Sequence, residues 1–177
     1  MDKIEDLLFN ESLRHWHFET LVQQSGLSRE RVNYFLNQLL KEKFILRIKP
    51  HRKMPYYIAN RDASFREQKR LFGFKRLEES GLLEYLGSLP VKTVIVFGSF
   101  ARGDWNKSSD IDIFIYGSLL DFDKKTFENK IGHEIQLFSF SNPKELKQEL
   151  DPGLFSNIIK GFNVKGTLEP FEVSVNV

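Results

Sequence analysis

Two kinds of hydrophobic periodicity divide this chain. Over residues 1–60 the apolar positions recur first at helical spacing. Ile4, Leu7 and Leu8 begin one stripe, and Phe18, Leu21 and Val22 repeat it. Gly26 interrupts the pattern. Val32, Phe35, Leu36, Leu39 and Leu40 then fall at i, i+3, i+4, i+7 and i+8, one face of a helix. Ser28 stands where an N-cap is needed. Two β-prone runs, 44–48 and 56–58, flank a basic loop with Pro50 and Pro55 and read as a hairpin. Residues 61–89 read as one or two linker helices: Phe65, Phe72 and Leu77 form a stripe, Gly81 breaks it, and Leu82, Leu83, Tyr85 and Leu86 resume it before Pro90. From Val91 the spacing changes to alternating elements. Strands are expected over 94–97, 111–116 and 133–140, with a short helix near 99–103 and helices near 123–130, 143–150 and 152–160. A β-prone tail runs over 162–177. The fold class is α+β, with domains expected over 1–60 and 90–177 joined by the helices of 61–89.

Composition narrows the class. A chain of 177 residues has room for one domain or two small ones. Its 41% hydrophobic and 28% charged residues make a globular balance. No apolar run approaches the roughly 18 residues of a membrane span. The acidic start, MDKIEDLLFN, lacks the basic region of a secretory signal. Cysteine is absent, which excludes disulfides and thiolate zinc sites. The expectation is a cytoplasmic protein with no membrane partner. Net charge is only +2, but residues 1–90 hold 16 Lys/Arg against 12 Asp/Glu, whereas the remainder holds 10 against 12. Lys43, Arg47, Lys49, Arg52 and Lys53 form a basic run in the first half, a patch suited to nucleic acid or to solvent.

Two amphipathic helices around a short break, followed by a hairpin, resemble the winged helix-turn-helix family of DNA-binding domains. The resemblance covers residues 1–60 and implies that the helix from Ser28 enters the major groove. Ser28, Arg29, Arg31 and Asn33 would then meet bases, and Arg52 and Lys53 of the wing would meet phosphates. A protein-interaction or dimerisation module is the alternative for the same pattern.

Most of the chemistry lies in VIVFGSFARGDWNKSSDIDIFIY, residues 94–116. A buried-looking strand runs into Gly98-Ser99, where backbone N–H groups and a hydroxyl can meet an anion. Arg102, one turn on, can reach the same anion. The next strand carries Asp110 and Asp112 at i and i+2, so both carboxylates lie on one face, opposite Ile111, Ile113 and Ile115. Like charges so placed repel, and burying an unpaired charge costs several kcal/mol. A cation or a basic side chain resolves that conflict. The spacing of a Walker-type loop is absent.

Gly98-Ser99-x-x-Arg102-Gly103 followed by Ser109-Asp110-Ile111-Asp112 resembles the nucleotidyltransferase superfamily that includes DNA polymerase β, in particular its minimal members. The resemblance implies a small mixed sheet with flanking helices. It also implies a third carboxylate on a later strand, for which Glu134 is the candidate, sharing a face with Gln136. Two Mg²⁺ ions would be held by Asp110, Asp112 and Glu134, and an NTP substrate by Gly98, Ser99 and Arg102. Glu134 would serve as general base or as ligand of the second ion. His133 is expected at the surface, and Lys107 in a solvated loop.

The function implied is transfer of a nucleoside monophosphate from an NTP to a macromolecular acceptor, with the helical domain as a DNA-targeting module. A protein acceptor and a second copy of the chain are further candidate partners. A nucleotide-sensing regulator without catalysis, or an antitoxin-like partner of an HEPN-type toxin, are the alternatives.

Overall fold

The computed structural model describes residues 3–119, 121–168 and 171. Two compact units divide at Lys69/Arg70.

The first unit contains α1 (Lys3–Asn10), α2 (Phe18–Ser25), α3 (Arg29–Lys41), β1 (Ile45–Ile48) and β2 (Tyr56–Ala59). The helical stripes of the sequence supply its core: Ile4, Leu8, Leu21, Val32, Leu36 and Leu39 are buried together with Trp16, Ile45 and Tyr57. Ser28 caps α3 by accepting the N–H of Arg31 at 3.3 Å. The expected hairpin forms, with β1 antiparallel to β2. Trp16 adds a bridge on the far side of β2 through two backbone hydrogen bonds with Tyr57.

The next helix, α4 (Ala63–Glu79), crosses the division, and α5 (Leu82–Ser88) follows. These are the helices expected over 61–89. The second unit continues with β3 (Thr93–Phe97), α6 (Gly98–Arg102), β4 (Ile111–Tyr116), α7 (Lys124–Ile131), β5 (Ile135–Phe140), α8 (Pro143–Glu149), α9 (Pro152–Ile158) and β6 (Phe162–Lys165). The last strand is the described part of the expected β-prone tail; 169–170 and 172–177 lie outside the described residues.

The strand order β5-β4-β3-β6 makes a mixed sheet: β3 is antiparallel to both neighbours, and β4 is parallel to β5. Register sorts its side chains by face. Val94, Val96, Ile111, Ile113, Ile115 and Ile135 share one buried face. The opposite face is apolar too. Ile95, Phe114 and Phe138 form one row across it, and Phe114 is fully buried. These side chains join Phe97, Tyr116, Phe140, Leu146 of α8 and Ile158 of α9 in one core. Both faces of β4 are therefore covered, and only its N-terminal end reaches solvent.

A tryptophan from a polar loop fills the rest. Trp105 is fully buried and stacks on Phe100 at 5.1 Å and Phe72 at 6.4 Å. Gly73 lets α4 pass over it: a Cβ there would stand 2.9 Å from the indole nitrogen. Trp105→Ala should cost about 3–5 kcal/mol of stability, read by chemical denaturation of the full chain. A loss under about 1 kcal/mol would mean the cavity collapses or the ring is not a core element.

Candidate active site

The site lies where β3 ends and β4 begins. Phe97, the last residue of β3, pairs with Asp112, the second of β4, and the chain turns at Gly98 into α6. The turn is tight. Gly98 has φ +69, and a Cβ on it would fall 1.9 Å from Oδ2 of Asp112. The Asp112 carboxylate thus rests against the bare Cα of Gly98, a contact that no other residue type permits. Ser99 is half-buried at the first turn of α6.

Asp112 is half-buried, while Asp110, just ahead of the strand, is exposed. The Asp112 carboxyl is held above the usual carboxylate range, first by burial and then by the charge of Asp110, with Arg102 opposing. The two acids therefore act on each other, as their i, i+2 spacing requires. Arg102 is exposed and engages Asp104 at 3.1 Å, rather than closing an ion pair on either site acid. An oxygen-ligated divalent cation fits this pair, because it would remove both the mutual repulsion and the penalty on ionised Asp112.

The loop before Asp110 is well braced. Asn106 accepts the N–H of Ser108 at 2.9 Å and donates its own N–H to Ser109 Oγ at 2.8 Å. His133 corrects an expectation. It is buried, not at the surface, with its ring edge-on to Phe100 and Trp105. Its Nδ1–H donates to the carbonyl of Ser109 at 2.8 Å, which fixes the peptide leading into Asp110. Nothing local in the sequence signals this contact, because it depends on β4 and β5 lying side by side.

Glu134 lies one residue ahead of β5, which is shorter at its start than expected, and it is exposed. Its carbonyl accepts the N–H of Ile111 at 2.8 Å. Its row is that of Asp110; the residue level with Asp112 is Gln136. Among the described residues, no three His, Cys, Asp or Glu side chains form a group able to hold a metal ion. The structure thus brings together Gly98, Asp110 and Asp112, and does not bring Glu134 into a three-acid cluster with them. Lys107 is exposed in its loop.

The residues expected to meet DNA stand apart, in the first unit. Arg29, Arg31 and Asn33 are exposed on the first turns of α3 behind the Ser28 cap. Arg29 is engaged by Glu19 and lies 5.0 Å from the ring centre of Phe18. Arg52 and Lys53 are exposed in the hairpin loop.

Comparison with known proteins agrees with this geometry. Residues 79–150 match the family described as Nucleotidyltransferase domain. That span contains the Gly98 turn, both aspartates and β5. A protein of Methanocaldococcus jannaschii that bears the name protein adenylyltransferase is 44% identical over 52 residues, which is 26% of this chain and 51% of the relative. The chain thus spans about half the length of the curated relative it matches. No solved structure matches it. Among the described residues, no helix is long and apolar enough to cross a membrane.

Two outcomes follow from the Gly98–Asp112 contact. A carboxyl with a raised folded-state value stabilises the fold in its protonated form. That contribution is complete below the unfolded value, about 3.9, and is lost as pH rises through the raised value. Asp112→Asn, neutral at every pH, should therefore melt higher than wild type at about pH 7–8 in a chelator, with the advantage gone near pH 4. Gly98→Ala should lower the melting temperature, and less so in an Asp112→Ala background. A double-mutant cycle reads the coupling, and additive effects would show that the two residues do not touch.

Proposed function

We propose that this chain transfers a nucleoside monophosphate, AMP in the first instance, from an NTP to a hydroxyl of a protein acceptor. The observation that carries the reading is the acid pair beside the Gly98 turn, inside a segment that matches the nucleotidyltransferase domain. The name of the archaeal relative supports ATP as donor and protein as acceptor.

In this reading the triphosphate lies along the turn of Gly98 and Ser99, with Arg102 released from Asp104 to meet a phosphate. Asp110 and Asp112 hold Mg²⁺. Once bound, the ion neutralises phosphate charge and acidifies the acceptor hydroxyl. The acceptor oxygen bonds to the α-phosphorus as the bond from that phosphorus to the bridging oxygen breaks, and pyrophosphate departs with the electron pair. The hydroxyl proton passes to a carboxylate oxygen of Glu134, at the exposed head of β5. His133 keeps Ser109 and Asp110 in place throughout.

The first unit serves as a winged-helix targeting module, with Arg31 and Asn33 of α3 and Arg52 and Lys53 of the hairpin loop turned to DNA. Their exposure behind a capped helix and on a hairpin loop supports that role.

The test is incubation of the full chain with α-labelled ATP, Mg²⁺ and an extract of host proteins. Label should enter protein. Asp110→Ala with Asp112→Ala should reduce it at least about 100-fold. Label that persists in the double variant removes the proposal.

A further inference from the structure

We infer that this site binds a single divalent cation, because the position level with Asp112 on the adjoining strand holds an amide, Gln136, in place of a carboxylate. The inference rests on the reading above that Asp110 and Asp112 hold Mg²⁺, and it specifies the number of ions.

Side chains directly opposite on adjacent strands are the ones that can share a ligand, since strands lie about 4.8 Å apart. The β4–β5 ladder is parallel and regular, and it pairs Asp112 with Gln136, Phe114 with Phe138 and Tyr116 with Phe140. All of these lie on the acid-bearing face. Gln136 is exposed at the open end of that face, in the same row as Phe97, Asp112 and the turn. Glu134 is two residues back, level with exposed Asp110 rather than with Asp112, and about 6–7 Å from Gln136 along the strand. It lies beyond the end of β5, and it does not complete a three-acid group among the described residues.

Charge decides what two acids and one amide can hold. Two dications repel with four times the energy of two unit charges at the same distance. A pair of ions about 3.5–4 Å apart needs anionic ligands between and around them. The triphosphate brings its own negative charge to the ion that Asp110 and Asp112 hold, but the ladder offers a second ion no carboxylate level with Asp112. The Gln136 amide oxygen can accept a hydrogen bond or orient a water, but it adds no charge. Its NH₂ can donate to a phosphate oxygen, a role closed to a carboxylate. Gln136 is thus placed to hold substrate, and Glu134, unencumbered by a metal, to take the proton.

The test counts Mn²⁺ by electron paramagnetic resonance on the full chain with a saturating α,β-methylene analogue of ATP. Wild type should bind one Mn²⁺ per chain. Gln136→Asp should bind two and show the coupled spectrum of a pair, and Gln136→Glu is the second variant should the first melt prematurely. Glu134→Gln should still bind one while label transfer falls at least about 10-fold. Two ions in wild type, one of them lost in Glu134→Gln, would overturn the inference and leave the transferase reading standing. So would a count of one in both folded Gln136 variants. A count of zero in wild type sinks the transferase reading itself, and this inference with it.

Discussion

The contact between the Asp112 carboxylate and the bare Cα of Gly98 is the constraint on which this site depends. The antiparallel pairing of Phe97 with Asp112 brings the end of one strand against the start of the next. With no Cβ and a φ of +69, Gly98 lets the chain turn there without expelling the acid. The same contact makes Asp112 half-buried, and that burial leads the rise of its pKa. The backbone thus holds an acid that a bound cation would relieve. The fold holds a carboxylate in an unfavourable setting, and the remainder of the sheet must outweigh that penalty. It does so by being apolar on both faces. Ile111, Ile113 and Ile115 are buried on one side of β4 and Phe114 on the other, so the strand has no freedom to rotate Asp112 into solvent.

Local features of this arrangement were legible in the sequence, and long-range ones were not. The i, i+2 spacing of Asp110 and Asp112 is a property of any strand, and the alternation with isoleucines identified the strand. The two amphipathic helices about Gly26 and the Ser28 cap were equally local, and each formed as read. The parallel register of β4 against β5 is different in kind. The alternation of 133–140 showed that Glu134 and Gln136 share a face. It could not show which of them stands level with Asp112, because that depends on where two strands separated by α7 come to rest. Trp105 and His133 escaped for the same reason. Trp105 sits in a polar loop and carried no reading from the sequence, and His133, beside a glycine, was expected at the surface. The interior they fill is created only when α4, α6 and the head of β5 converge.

Asp110 and Glu134 differ in how the backbone around them is held. Both are exposed and both stand at the head of a strand. The peptide before Asp110 is held by the His133 imidazole and by the Asn106–Ser109 turn, so its carboxylate projects from a braced backbone. A metal ligand benefits from such bracing, since ordering it on binding costs side-chain entropy. Glu134 is anchored through its carbonyl to Ile111, and its side chain is exposed. The fold thus braces the backbone at Asp110 and leaves Glu134 exposed at the head of β5. Gln136, level with Asp112, is an exposed amide that adds no charge beside the acid pair.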